Sequence, residues 1–202
     1  MEGLQHNIIT QLNRGIIMNK RQNQKLTVQE ITQVGLAAAL ISIMAQISIP
    51  MPAGVPMTLQ TFAVPLVGII LGSRKGTIAA LVYVLLGAVG LPVFSGFSGG
   101  IGIVLGVTGG FIVTFPIMAW MAGIGQEKGG YVRLYAGLIL GAVINYLIGM
   151  AWFVVAAKST WATAFTACVL PFIPTTIIKI ILAGILGKKM REVMIRAGAL
   201  AA

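Results

Sequence analysis

The chain has 202 residues, 57% of them hydrophobic and only 9% charged, with a formal net charge of +10. A soluble domain carries about 25% charged residues, so the composition excludes an ordinary soluble enzyme, and the length suits one compact bundle without a separate soluble domain. The positive charge is not a nucleic-acid footprint, because the basic residues flank apolar runs and form no patch with interleaved aromatics.

In chain order, residues 1–24 form a polar N-terminal cytoplasmic segment with no apolar core long enough for a signal peptide. Met18 is a candidate native start, which makes residues 1–17 an added extension. The alternative is a short amphipathic surface helix through Ile8, Ile9, Leu12, Ile16 and Ile17. Residues 25–192 form the membrane domain, and 193–202 a C-terminal cytoplasmic tail. No Asp, Glu, Lys or Arg occurs from Ile31 to Ser73, from Gly76 to Gln126, from Leu134 to Ala157 or from Ser159 to Ile178. A membrane-spanning helix needs about 20 apolar residues. Apolar runs and Gly/Pro punctuation predict six: about Val28–Ile49, Thr58–Gly72, Gly76–Gly90, Val107–Gly125, Val132–Ala156 and Ile173–Lys189. The second and third are short, which implies tilt or flanking helical extensions. Pro50, Pro52 and Pro56 forbid a helix between the first and second. Two further long connections follow, Leu91–Gly106 with Phe94 and Phe97, and Lys158–Phe172 with Trp161 and Phe165.

Six crossings place twelve basic residues on one side: Arg14, Lys20, Arg21, Lys25, Arg74, Lys75, Lys128, Arg133, Lys188, Lys189, Arg191 and Arg196. Only Lys158 falls on the other, and Lys179 lies inside a span. The positive-inside rule then puts both termini in the cytoplasm. The expected fold is an all-α integral membrane protein, a six-transmembrane-helix bundle with N- and C-termini cytoplasmic. Its long outer loops are either a lid over an outward-facing site or interfacial anchors for their aromatics.

The missing chemistry narrows the function. No span contains Asp or Glu, and Glu30 sits at the inner edge of the first helix. The sole histidine, His6, is outside the bundle, so a proton relay through the membrane is not expected. No ligand cluster suggests a metal. Gly184-Ile-Leu-Gly-Lys-Lys lacks the spacing and the Ser/Thr of a P-loop. No base lies near a hydroxyl nucleophile, and the single Cys168 has no partner for an internal disulfide. The chain is therefore expected to bind something and to be moved by something else, with no cofactor and no enzymatic activity.

Lys179 is the strongest candidate for binding. An ammonium within a span costs about 2.5–3.5 kcal/mol on insertion scales and needs a partner. A ligand carboxylate is one solution, and snorkelling to an interface is the other. Pro174 suits the first turn of the sixth helix, whose N-terminus favours an anion. Thr175 and Thr176 lie there, able to touch a ligand or to bond the helix backbone. In the fifth helix Gly137, Gly141, Asn145, Gly149 and Trp152 share one face. Asn145 offers donor and acceptor to an amide- or urea-like group, or an interhelical bond; Tyr146 is on the neighbouring face. In the first helix Gly35/Ala39 and Ala38/Ser42 are small-xxx-small pairs that make a smooth surface for another helix, in this chain or in a partner.

Three stretches carry a family resemblance. AQISIPMPAGVPMTLQTFAVPLVGIILGSRKGTIAALVYVLLGAVGLPVFSGFSGG, VTGGFIVTF and PFIPTTIIKIILAGILG are similar to the BioY family of biotin transporters, over about Leu36 to Leu186. The resemblance implies a substrate-binding S component of an energy-coupling factor (ECF) transporter, in the prokaryotic plasma membrane. It implies biotin bound near the outer side, a separate transmembrane coupling protein (EcfT type) and two ATP-binding-cassette ATPases, with the S component toppling to carry its site inward. Biotin's carboxylate would meet Lys179 or the start of the sixth helix. Its ureido ring would pair with Asn145 or with hydroxyls such as those of Thr175 and Thr176. Its bicycle would lie against Phe94, Tyr146 or Trp152, near Gln60 and the Gly109-Gly110 pair of the second stretch. Gly35, Ala38, Ala39 and Ser42 would form the docking face. One departure stands out: the family pattern PFIP-x-D-x-x-K has Asp where this chain has the neutral Thr176. The rival readings are a stand-alone facilitator or channel for a small carboxylate-bearing solute, which needs a continuous polar path, and a lipid-active membrane enzyme, which needs a catalytic constellation.

Overall fold

A computed structural model of the chain describes residues 27–52 and 54–200. The expected N-terminal segment 1–24, with His6, lies outside the described residues. The first described turn is fixed by a capping box. The Glu30 backbone N–H donates to Thr27 Oγ1 at 3.2 Å, and the Thr27 N–H donates to Glu30 Oε2 at 2.9 Å. It opens helix α1 (Val28–Gln46).

From Gln33 onward the chain is one compact, mostly helical unit. Within it α1 buries Val34, Ala37, Ala38, Ile41 and Ala45, a stripe at helical spacing. The helix stops at Gln46, short of the expected Ile49, because Ser48–Ile49 (β1) pairs antiparallel with Met57–Thr58 (β2). Pro50 favours that extended geometry in the residue before it. The pairing, Ser48 with Thr58 and Ile49 with Met57, clamps the base of the proline loop.

Helix α2 (Gln60–Ala88) runs 29 residues but is broken at Gly72, whose φ of 84° and ψ of 172° are non-helical. Were it straight, Gln60 and Tyr83 would stand about 35 Å apart at 1.5 Å per residue; instead the Gln60 amide donates to the Tyr83 hydroxyl. The chain therefore doubles back at Gly72 into two antiparallel arms. They approach so closely that a Cβ on Gly76 would lie 2.6 Å from Gly68 Cα. Opposite charges stabilise the break. Glu127 Oε1 accepts from the Ser73 N–H at 2.7 Å, at the positive start of the second arm. Arg191 Nη1 donates to the Ile70 carbonyl at 2.8 Å, at the negative end of the first.

A 3₁₀ turn (Ser95–Phe97) and two short helices, α3 (Ile101–Leu105) and α4 (Gly109–Val113), lead to α5 (Phe115–Glu127). Thr114, between α4 and α5, keeps near-helical angles (φ −91°, ψ −5°), so residues 109–127 act as one span. Helix α5 packs against α2 and α6 (Tyr131–Ala156). The connection expected as a loop at Lys158–Phe172 contains a helix, α7 (Trp161–Cys168), N-capped by Thr160 Oγ1 accepting from the Thr163 N–H at 3.2 Å. A 3₁₀ turn (Leu170–Phe172) then leads to α8 (Ile173–Arg196). Helix α8 continues past the expected Lys189 because nothing breaks it before Gly198, where φ is 70°. Beyond it Leu200 is buried, and the Gln33 amide donates to the Ala199 carbonyl at 2.6 Å.

Five stretches among the described residues are long and apolar enough to cross a membrane: Val28–Gln46, Gln60–Ala88, Gly109–Glu127, Tyr131–Ala156 and Trp161–Arg196. The second of these is the doubled-back pair of arms.

Candidate functional site

Gly54, Val55 and Pro56 of the proline loop line one side of a cavity of about 230 Å³. Its walls are mixed. Phe94, Phe111, Phe115, Tyr146 and Phe172 give aromatic surface, while Thr58, Gln60, Thr61, Thr108 and Asn145 give uncharged polar groups. Among the described residues, no Asp, Glu, Lys or Arg lines it. Flat apolar faces with a few fixed polar groups are the usual make-up of a small-molecule site.

The polar groups are set by a network reaching across the fold. Gln60 opens α2 and is buried at 6% exposure. Its Oε1 accepts from Thr58 Oγ1 at 2.8 Å, and its amide donates to Tyr83, whose hydroxyl donates to the Val93 carbonyl at 3.2 Å. Tyr83 is fully buried, and its ring meets Phe94 edge-on at 5.6 Å. Gly87 makes room for Phe94, since a Cβ there would lie 2.1 Å from the ring.

Asn145 lines the cavity, but its donors are committed. Nδ2 donates to the Phe111 carbonyl at 2.9 Å and to Thr114 Oγ1 at 2.6 Å. What remains for a ligand is the acceptor, Oδ1.

Lys179 does not line the cavity. Its ammonium donates to the Thr58 carbonyl at 2.7 Å and to Thr61 Oγ1 at 3.0 Å, and both residues do line it. The cation thus stands one residue behind the wall, held by uncharged oxygens. Thr176, also outside the lining, hydrogen-bonds through its hydroxyl to that of Tyr146. Thr175 Oγ1 donates to the Phe172 carbonyl at 2.9 Å, in the 3₁₀ turn that leads into its helix.

Trp152, Gly109 and Gly110 come together with one another and not at the cavity. Trp152 Nε1 donates to the Gly106 carbonyl at 2.9 Å, and a Cβ on Gly110 would lie 2.3 Å from Trp152 Cβ. On α1, Gly35 and Ala39 are exposed and Ser42 half-exposed. Ser42 Oγ donates to the Ala38 carbonyl at 2.8 Å. Ala38 itself is 2% exposed and packs in the core, so it does not contribute to the outward face.

Sequence reasoning missed Thr58, Thr61, Tyr83, Phe111 and Thr114. Only Tyr83 carried a visible cue, as a hydroxyl in an apolar run that needs a buried partner.

This bundle is a multi-pass membrane protein with an internal cavity of aromatic and uncharged polar walls. The BioY family's sequence pattern matches residues 18–196, and the chain belongs to that family. It is 44% identical over 163 residues to the "Probable biotin transporter BioY" of Pyrococcus horikoshii, covering 81% of this chain and 96% of the relative. It is 36% identical over 180 residues to the "Biotin transporter BioY" of Rhodobacter capsulatus, covering 81% and 94%. Among solved structures it is similar to a crystal structure at 2.1 Å of "the S-component for biotin from an ECF-type ABC transporter". The TM-score there is 0.75, with 26% identity, 83% of this chain and 95% of that chain covered.

Proposed function

We propose that this chain is the biotin-binding S component of an ATP-driven vitamin importer in a prokaryotic plasma membrane. The carrying observation is the roofed, uncharged, aromatic-walled cavity with a cation directly behind one wall. Biotin is a flat, apolar bicycle with a urea at one end and a carboxylate at the other. Its ureido N–H suits the free acceptor of Asn145. Its carboxylate suits the Thr58–Thr61 edge, where Lys179 donates to Thr61 Oγ1 and the Thr61 hydroxyl donates to the Thr58 carbonyl at 3.5 Å, a long bond that a carboxylate beside the ammonium can replace. Thr176 reaches the ligand only through Tyr146, and Thr175 supports the start of α8.

Counting the two arms of α2 as separate crossings gives six with the four other spans, and the positive-inside rule then supports both termini on the cytoplasmic side with most of the basic residues. Movement of the bound vitamin is assigned to a coupling protein and two ATPases, with the exposed Gly35–Ala39–Ser42 edge of α1 as docking face. The relatives' names as transporters support a non-enzymatic role.

Calorimetry on the purified chain in lipid nanodiscs tests the reading. Saturable one-to-one biotin binding without ATP is expected, together with no accumulation of biotin by vesicles holding this chain alone. Absence of binding by folded protein overturns it.

A further inference from the structure

The last residue of α1 does more than end a helix. Gln46 Nε2 donates to the carbonyls of Val93 at 3.3 Å and Phe94 at 3.1 Å, as well as to the Ser42 carbonyl of its own helix at 3.0 Å. Its Oε1 accepts from the Phe97 N–H at 2.8 Å. One side chain thus holds three residues of the 91–100 loop, about fifty positions away in sequence. That loop contributes Phe94, Ser95 and Ser98 to the cavity wall.

Two further observations give the contact meaning. Phe97 has a φ of 54°, in the left-handed region that non-glycine residues avoid, and it is 74% exposed, so no burial of its ring holds it there. Within the loop the Phe94 N–H donates to the Ser98 carbonyl at 2.9 Å and Ser98 Oγ to the Ser95 carbonyl at 2.8 Å; the Gln46 bond to the Phe97 N–H is what ties this turn to α1. The adjoining residue, Ile47, accepts from the Leu59 N–H at 3.0 Å, at the base of the proline loop. Both covering segments of the cavity therefore hang from the same end of α1.

We propose that Gln46 is a latch, a positioning residue that keeps the 91–100 loop, and through it Phe94, closed over the cavity. It touches no ligand, so it acts on how long a ligand stays and not on which ligand enters. The bonds are uncharged and exchangeable, as a latch that must release requires. The binding arm of the test rests on biotin being the ligand; the other arm does not.

The experiment compares Gln46→Met, which keeps volume and removes both hydrogen-bonding groups, with Gln46→Glu, which keeps an acceptor for Phe97 but turns a carboxylate toward the Val93 and Phe94 carbonyls. Hydrogen exchange without ligand should rise in residues 93–100 in both variants, while α5 and α6 keep their protection. Dissociation of labelled biotin should accelerate about tenfold or more, the effect of losing two or three hydrogen bonds, with a smaller change in association. Unchanged loop exchange in either folded variant overturns the latch, as does unchanged dissociation from a variant that binds biotin. If the wild type fails to bind biotin while the loop exchange responds, the ligand assignment falls and the latch stands.

Discussion

Lys179→Met separates a cation that serves the ligand from one that serves only the fold. The substitution keeps the stem and removes an ammonium bonded to the Thr58 carbonyl and Thr61 Oγ1. Each hydrogen bond to a charged group contributes about 1.5–3 kcal/mol, and relief of the ammonium's insertion cost returns about 2.5–3.5 kcal/mol. Two such bonds total about 3–6 kcal/mol, so at least about 40% of the loss is returned and the variant should fold with reduced stability. A carboxylate held by this cation, directly or through Thr61, loses one charge-assisted interaction of about 1.5–3 kcal/mol. That is a roughly 10- to 150-fold weaker biotin affinity at 1.4 kcal/mol per decade. The assay is a cycle of two proteins and two ligands by calorimetry: wild type and variant, each with biotin and with its uncharged amide. The loss should be confined to biotin, and Lys158→Ala should change neither. Equal losses for both ligands would refute the electrostatic role and leave Lys179 as a strut between α8 and the start of α2.

Three further outcomes follow from the packing. Gly87→Ala places a methyl 2.1–2.6 Å from three ring atoms of buried Phe94; overpacking costs of about 1–3 kcal/mol should appear as weaker biotin binding, partly restored by adding Phe94→Leu. Binding at wild-type affinity would show that Phe94 does not shape the site. Glu127→Gln keeps an acceptor for Ser73 but removes the charge at the start of the second α2 arm, worth about 0.3–1 kcal/mol at an exposed terminus. A lower thermal midpoint in detergent, with affinity unchanged, is expected; an unchanged midpoint would remove the charge from the account of the Gly72 break. Ala39→Trp, on the exposed edge of α1, should abolish uptake by the reconstituted transporter while sparing biotin binding, and normal uptake would move the docking face elsewhere.

Charge placement made the helices legible. The apolar runs mark α6 to within one residue at its start and at its end, and α1 at its start but three residues too long at its end, where Ser48–Ile49 turns to strand pairing. Helix α7 was missed because eight residues are too few to span a bilayer and because the eye takes Trp161 and Phe165 for anchors; the Thr160–Thr163 cap was the available cue. The site was legible as a list of costly residues but not as a geometry. Burying an ammonium is expensive wherever it happens, so Lys179 stands out in one dimension. Its partners Thr58 and Thr61 are 121 and 118 positions away, and threonines in apolar helices usually bond their own backbone. Asn145 likewise announced a polar contact, but only the fold shows that Phe111 and Thr114 take its donors. Trp152 and the Gly109-Gly110 pair carried the look of a ligand wall and meet each other instead.

The two ends of the bundle are held by different chemistry. At the Gly72 break, the Glu127 and Arg191 side chains cap opposing helix termini. Around the cavity roof, Gln46, Thr58, Gln60 and Tyr83 are joined by hydrogen bonds between uncharged groups. Apart from the Lys179 ammonium on the Thr58 carbonyl, these are neutral bonds of about 1 kcal/mol each that can be exchanged for water one at a time, so the 91–100 side of the roof can open locally. The charged end joins α2, α5 and α8 and resists such opening. On the proposed importer reading, the ligand enters through that roof. Delivery to the other side then demands movement of the bundle as a body, work that falls to separate ATP-consuming partners in the proposed importer.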